Sequence, residues 1–352
     1  EKLKTNITTA YSIDKATFYY SYDQNNLALN NLPLRVFGIQ QKFEFPTVYG
    51  AKKNVLTSEY EKEKSKFDLQ KNKLALAVSK VYEQIVYLQN QEKRYNYLDS
   101  LYQNFSKASN RRFELGETNY LEKITAQAKS GQIKTKRSQI EKDLQAQYEL
   151  LNSLVQADEK IVIGNTQMKP IDLGSNSSGK ELHLSYLEQI TENYKKQITL
   201  QKQHTLPDIN IDYFQGRNNG LSQSLYGFQF GIAVPLFYKG VQSKIKVAQL
   251  DLKSWEQQKQ NEEQKLEHYL NQKKNEVTKY QEAINYYEQH GKKLSEEINK
   301  VAQLSYKNGE IDFFQYIQSL ENATAIQVDY LDTLLQYNTT QLELFYLNFN
   351  LL

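Results

Sequence analysis

The sequence predicts a mainly α chain with β: long antiparallel coiled-coil helical hairpins, plus two β-hairpins contributing four strands to an oligomeric transmembrane β-barrel, written on an internal two-fold repeat. Three observations carry this. Period-two aromatic alternation occurs twice and runs each time into a proline and a glycine, as QKFEFPTVYGAKKN at 41–54 and as QFGIAVPLFYKGVQSK at 229–244. After each, the apolar period lengthens to seven, the mark of helices supercoiled against partners. Each seven-fold run then meets a Gly-Glu pair, Gly116–Glu117 and Gly309–Glu310, before helical patterning resumes.

Composition agrees with long polar helices. Of 352 residues only 39% are hydrophobic, and the mean hydropathy is −0.72. With 14 Gly and 5 Pro the chain has few turn formers for its size. Yet it carries 27 Tyr and 15 Phe, which disordered chains avoid, so these rings must be buried or sit at an interface. The net charge of +3, from 44 basic and 41 acidic residues spread evenly, makes no electrostatic case for nucleic acid. There is no cysteine, hence no disulfide, thiolate metal site or thiol nucleophile. No signal peptide opens the chain, and no apolar run approaches the ~20 residues of a spanning helix. A crossing of a membrane would have to use strands.

In the first half, Phe18, Tyr20 and Tyr22 alternate with smaller or polar residues, and after a loop near 25–34 so do Phe37, Ile39, Phe43 and Phe45. In the second, Ile209, Ile211 and Tyr213 precede RNNGLSQS, and Tyr226, Phe228, Phe230, Ile232 and Val234 follow it. A sheet packed on a soluble core also alternates in this way. Strands of ~10 residues with aromatics on one face and Gly, Gln and Lys on the other suit a barrel with a wet interior. Four strands cannot close one, since the smallest have about eight, so the others would come from further copies. Phe37, Ile39, Phe43, Phe45, Tyr226, Phe228, Phe230 and Ile232 are therefore the expected lipid-facing residues. Pro46 and Gly50, matched by Pro235 and Gly240, mark the strand-to-helix junctions: the proline ends the ladder and the glycine releases the chain into a helix.

Leu74, Val81, Leu88, Tyr95 and Tyr102 form the first heptad stripe; Leu270, Val277, Ile284 and Ile298 form the second, with Gly291 interrupting. A helix from Gly50 to Gly116 would be ~99 Å long. At Gly116 and Gly309 the helices fold back, although a plain turn also accounts for either glycine; a nearby Asn or Thr would cap the returning helix. The organisation expected is a first repeat over 1–156 (hairpin about 16–46, tip near 116), a linker over 157–180 with a strand-like piece at 161–171, and a second repeat over 181–352 (helix to about His204, hairpin about 208–235, tip near 309). No full-length helix precedes the first hairpin, as in a mature or trimmed product.

No chemistry stands out. Glu61 with Glu63, and Glu262 with Glu263, read as solvated helix faces. His183, His204, His268 and His290 show no ligand spacing, and there is no phosphate loop, Gly-flanked serine or zinc signature. The expectation is no catalytic residue, no metal, no cofactor and no enzyme.

FEFPTVYGAKK at 43–53, AVPLFYKGVQSK at 233–244, RRFELGETNYLEKITAQ at 111–127 and LSYKNGEIDFFQYIQSLENA at 304–323 together resemble the TolC-like outer-membrane efflux proteins, the outer-membrane factors of tripartite efflux or type I secretion systems. The resemblance covers essentially the whole chain. It implies a homotrimer sharing a twelve-stranded barrel in outer-membrane lipid of a Gram-negative bacterium, a periplasmic helical tunnel, and passive export. It also implies docking and gating through the tips, onto a periplasmic membrane-fusion adaptor and an inner-membrane pump of the resistance-nodulation-division or ABC type. The tip residues it singles out are Leu115, Gly116, Glu117, Asn119, Tyr120 and Glu122 in the first repeat, and Asn308, Gly309, Glu310, Asp312, Phe313 and Gln315 in the second. Glu122 and Asp312 would narrow the pore; Gln315 and Gln318 stand where carboxylates are expected, and no N-terminal cysteine offers a lipid anchor. The other classes considered are a non-membrane coiled-coil scaffold and a helical pore-forming toxin.

Overall fold

The computed structural model describes residues 1–24, 30–157, 159, 161–164, 167–174, 178–235 and 238–347. Part of the loop expected near 25–34, parts of the linker and residues 236–237 of the second junction thus lie outside the described residues. The element order is α1 (Lys2–Asn6), β1 (Thr17–Asp23), β2 (Leu34–Phe43), α2 (Pro46–Glu114), α3 (Tyr120–Val155), α4 (Ser178–Gln203), β3 (Asp208–Asn218), β4 (Leu225–Ala233), α5 (Tyr238–Tyr286), α6 (Lys292–Lys307) and α7 (Phe313–Tyr346). A 3-10 turn, Ile7–Tyr11, follows α1. The chain divides into two compact units, Glu1–Asp68 with Leu182–Glu263, and Leu69–Glu181 with Gln264–Leu352.

The first unit holds a four-stranded sheet in the order β1-β2-β3-β4, antiparallel throughout. The two predicted hairpins are joined through β2 and β3, with Phe43 opposite Ile209 and Leu34 opposite Asn218. Beside the sheet, α2, α4 and α5 are tied by polar pairs: Asn193 Nδ2 donates to Ser58 Oγ at 3.0 Å, and Trp255 Nε1 to Thr191 Oγ1 at 3.0 Å.

The junction differs in detail from the expectation. The β2 ladder ends at Phe43, so Phe45 is not a strand residue; it is half-buried and its carbonyl accepts from Val48 N at 2.8 Å. Pro46 is the first residue of α2, where a missing N–H leaves no intrahelical bond unmade and φ is already helical. Gly50 and Gly240 lie inside α2 and α5 rather than before them. Helix entry is thus set by proline at the first junction, and neither glycine is a hinge into the helix.

The second unit is built of helices. Val81, Ile85 and Leu151 pack α2 on α3, and Val86, Met168, Ile284, Leu334 and Tyr337 pack α2, α5, α7 and the linker together. The heptad stripe is buried at Val81, Leu88 and Tyr102, but Leu74 is exposed. The interruption at Gly291 is a π-turn, Tyr287–Gly291, after which the helix continues as α6. Gly291 is buried, and a Cβ there would lie 2.9 Å from the Tyr287 ring and 3.4 Å from Ile326. That close approach accompanies flat stacking of Tyr287 on Tyr330, 3.7 Å between centroids.

The strand-like piece at 161–171 forms no strand among its described residues. Side chains, not a neighbouring ladder, satisfy its backbone: Ile161 N donates to Asn152 Oδ1, Ile163 O accepts from Gln89 and Tyr148, and Ile171 N donates to Asn338 Oδ1. Asn338 is fully buried and uses its amide twice more, on Glu83 Oε2 at 2.7 Å and Lys169 O at 2.9 Å.

Candidate functional site: a two-faced sheet and two helical tips

Register sorts the sheet residues onto two faces. On one lie, row by row, Phe43, Ile209 and Ile232; Gln41, Ile211 and Phe230; Phe18, Ile39, Tyr213 and Phe228; and Tyr20, Phe37, Gln215 and Tyr226. Of the predicted lipid-facing residues within strands, Phe37, Ile39, Tyr226, Phe228, Phe230 and Ile232 are exposed, Phe230 to 73%; Phe43 is half-buried. Cross-strand rings meet along this face, Tyr20 with Phe37 at 4.9 Å and Tyr213 with Phe228 at 5.0 Å. The amide of Gln41, among these apolar neighbours, donates to Asp14 O and Lys42 O and so keeps its polar group bonded.

The other face is polar and small. Lys42 pairs with Asp208 at 3.0 Å, and Tyr19 donates its hydroxyl to Asp212 at 3.0 Å. The Tyr19 ring lies over Gly38, where a Cβ would come within 2.3 Å, and Phe214 lies likewise over Gly227. Sequence alternation located both faces but not this polar pairing, which needs the β1–β2–β3 register. Among the described strands β1 and β4 each have one neighbour only, so both sheet edges are open. No helix among the described residues is long and apolar enough to cross a membrane.

In the second unit both tips close by the same backbone device. Gly116 (φ 73°) and Gly309 (φ 76°) adopt the left-handed conformation that suits glycine. Glu117 N then reaches Arg112 O at 2.8 Å and Gly116 N reaches Phe113 O at 3.0 Å; Glu310 N and Gly309 N do the same with Ser305 O and Tyr306 O at 2.8 and 3.1 Å. The returning helices are capped by side chains. Asn119 Oδ1 accepts from Glu122 N at 2.8 Å. Asp312 Oδ1 accepts from Gln315 N at 2.8 Å while Gln315 Oε1 accepts from Asp312 N at 3.1 Å, a reciprocal capping box.

These contacts revise three tip residues. Glu122 is buried, holding Arg112 at 3.0 Å and accepting from Thr118, so its carboxylate is occupied inside the hairpin. Phe313 is 2% exposed and packs with Leu98, Tyr102, Ala126 and Ile317. Gln315, where a carboxylate was expected, serves as the third residue of the capping box, a role that Glu fills equally well. Leu115, Gly116, Glu117, Asn119, Tyr120, Asn308, Gly309, Glu310 and Asp312 remain exposed.

Sequence reading missed the aromatic cluster beneath the tips: Phe105 lies 5.1 Å from Tyr316 and 6.0 Å from Tyr306, and Tyr306 stacks on Tyr316 at 4.8 Å. Burial pushes the Tyr306 and Tyr316 hydroxyls above their ordinary value, so both rings stay neutral at physiological pH. Residue spacing carries no signal for this cluster, since Tyr306 and Tyr316 lie on separate helices either side of the turn at Gly309. Beside the second tip, a cleft of about 340 Å³ between α6 and α7 is lined by Ile298, Val301, Ala302 and Ile311.

No profile of a known protein family matches the sequence, and no curated protein matches it. Solved structures do match, and they show the fold, which is that of TolC-like outer-membrane channel proteins. A membrane protein from Pseudomonas aeruginosa superposes with a TM-score of 0.78 at 13% identity, covering 98% of this chain and 89% of that one. The CmeC outer membrane channel of Campylobacter jejuni gives 0.75 at 10% identity, covering 98% and 80%. The outer membrane protein VceC of Vibrio cholerae gives 0.72 at 14%, covering 97% and 89%. At these identities the likeness is one of fold.

Proposed function

We propose that this chain is one protomer of a homotrimeric channel-tunnel in the outer membrane of a Gram-negative bacterium. It conducts exported solutes passively across the periplasm and the outer membrane. The observation that carries the reading is the sheet: an exposed aromatic face on one side, a polar face on the other, and two open edges. Exposed edges pair with other chains unless they are covered, and closure into a barrel removes them. Three copies would supply twelve strands, with β4 of each meeting β1 of the next. The aromatic face would then meet lipid, and Lys42, Asp208, Tyr19 and Asp212 the lumen.

The tips would dock onto a periplasmic membrane-fusion adaptor and an inner-membrane pump, of the resistance-nodulation-division or ABC type, that supplies the energy. Leu115, Glu117, Tyr120, Asn308 and Glu310 are the exposed side chains offered for contact, and the cleft of Ile298, Val301 and Ile311 would receive an apolar side chain of the partner. Opening would require the hairpins ending at Gly116 and Gly309 to move apart.

The experiment is a mass measurement on the detergent-solubilised assembly, paired with an export assay. A trimer that restores export in a deletion strain is expected. A stable monomer that needs no detergent overturns the channel and favours a coiled-coil scaffold; a water-soluble monomer that inserts on meeting vesicles favours a toxin.

A further inference from the structure

Arg35 and Arg217 are register partners on β2 and β3, so their side chains leave the aromatic face of the sheet directly opposite one another. Both are exposed. Like charges placed opposite each other across a ladder destabilise the pair unless an anion lies between them. Among the described residues, no acid is paired in their row or in the next row of the same face. Residues 24–43 and 213–233 contain no Asp or Glu at all. The adjoining strand acid, Asp23, is the register partner of Leu34 and therefore leaves the opposite face.

Position along the strands narrows the ligand. The arginines form the row immediately past Tyr20, Phe37 and Tyr226, on the loop side, with Tyr22 opposite Arg35 in the same row. From the Phe43 row to the arginine row is about 27 Å along the strand, roughly 20 Å in height at the usual barrel tilt. An outward apolar band is about 25 Å tall, so a band starting at the Phe43 row would end about 5 Å beyond the arginine row, and a side chain as long as arginine's reaches from there to the head groups. The backbone around them is pinned. Buried Asn218, next to Arg217, accepts from Asn30 Nδ2 at 2.8 Å and from Gly220 N at 2.9 Å, and donates to Leu32 O at 3.1 Å, joining the two loops.

We propose that Arg35 and Arg217 together bind the phosphate of an anionic lipid head group whose acyl chains lie on the aromatic rows below. A pair of guanidinium forks matches phosphate geometry, and the adjoining apolar face selects a lipid over a free anion. The site rests on the reading of this sheet as membrane-spanning.

The test uses the full chain purified in uncharged detergent, with native mass spectrometry of lipid uptake. The probes are phosphatidylglycerol, diacylglycerol with the same acyl chains, and inorganic phosphate. The Arg35→Gln/Arg217→Gln double variant should hold phosphatidylglycerol roughly tenfold more weakly than wild type, with diacylglycerol uptake unchanged. Lys246→Gln/Lys253→Gln, which removes the same charge from the exposed surface of α5, should behave as wild type. Equal phosphatidylglycerol uptake by wild type and the arginine variant overturns the proposal, as does displacement of the lipid by inorganic phosphate at equal concentration. Should wild type take up neither lipid and stay soluble without detergent, the membrane reading of the sheet falls, and this site with it.

Discussion

Arg112 and Glu122 stand 3.0 Å apart across the first tip, joining the last turn of α2 to the first turn of α3. Arg112 also reaches the Tyr306 hydroxyl on α6, at 3.4 Å, so one guanidinium touches both helical hairpins. Glu122 is nearly covered while Arg112 is 41% exposed, which places the pair between a buried and a surface salt bridge.

Replacing Glu122 by Ala should therefore loosen the tip without unfolding the chain. The expected loss is about 1–2 kcal/mol of local stability. Hydrogen exchange over 112–124 should accelerate roughly tenfold, with the amides around Ile85 and Leu334 unchanged. Unaltered exchange at the tip would show that the ion pair does not hold it closed.

The second tip makes a different prediction. Asp312→Ala removes an N-cap and half of a capping box, and should cost about 1 kcal/mol in the first turn of α7. Gln315→Glu keeps an acceptor for the Asp312 N–H and should be close to neutral, whereas Gln315→Leu should lose part of what Asp312→Ala loses. Exchange rates over 312–318 separate the three; a Gln315→Glu loss as large as that of Asp312→Ala would contradict the capping role.

One buried and one partly buried carboxylate, Glu83 and Glu343, should tilt stability against pH in opposite directions. Burial pushes Glu83 above its ordinary value of 4.5, with the Asn338 amide pulling back only in part. The folded state then holds that proton more tightly than the unfolded one, so its contribution is full below 4.5 and is lost as pH rises through the folded value. For Glu343 burial also acts upward, but hydrogen bonds from Lys273, at 2.8 Å, and Lys80 outweigh it and hold the carboxyl below 4.5. Its contribution is full above 4.5 and is lost on acidification. Glu83→Gln should flatten the fall in stability as pH rises from 4.5, and Glu343→Gln the fall as pH drops below 4.5, in urea titrations of the solubilised protein. Parallel curves for wild type and both variants would refute this.

Phe230→Lys and Gln229→Lys place the same charge one residue apart on opposite faces. Under the channel reading the first should cost about 2–4 kcal/mol and sharply reduce assembled protein in membranes. The second should assemble normally and shift the ion selectivity of single channels in planar bilayers. Equal yields of the two would argue against a lipid-facing aromatic side.

The strands were legible because alternation of Phe, Tyr and Ile is a two-residue pattern that a single pass along the chain detects. Their joining through Phe43 and Ile209 was not, since nothing local in either segment specifies a partner so distant in sequence. The helical tips were legible through Gly116 and Gly309, whose positive φ few other residues adopt. Burial at the tips was not legible: Glu122 is covered by Arg112 and Thr118 within its own hairpin, and Phe313 by Leu98, Tyr102 and Ala126 of the other. The linker misled for a related reason: Ile161, Ile163 and Ile171 look like a strand, yet their backbone groups are claimed by Asn152, Gln89, Tyr148 and Asn338 from helices. The short α1 carries no long apolar period and was not anticipated.

Both tips end their helices through main-chain hydrogen bonds around a glycine, and the side chains they call on are the caps Asn119, Asp312 and Gln315 and, at the first tip, Arg112, Thr118 and Glu122. Leu115, Glu117, Asn308 and Glu310 therefore carry almost none of the folding of the turns they decorate. Such turns should tolerate mutation: their outward chemistry can be rewritten residue by residue while the hairpins keep their shape, which under the docking reading would let a new contact surface arise on an unchanged backbone.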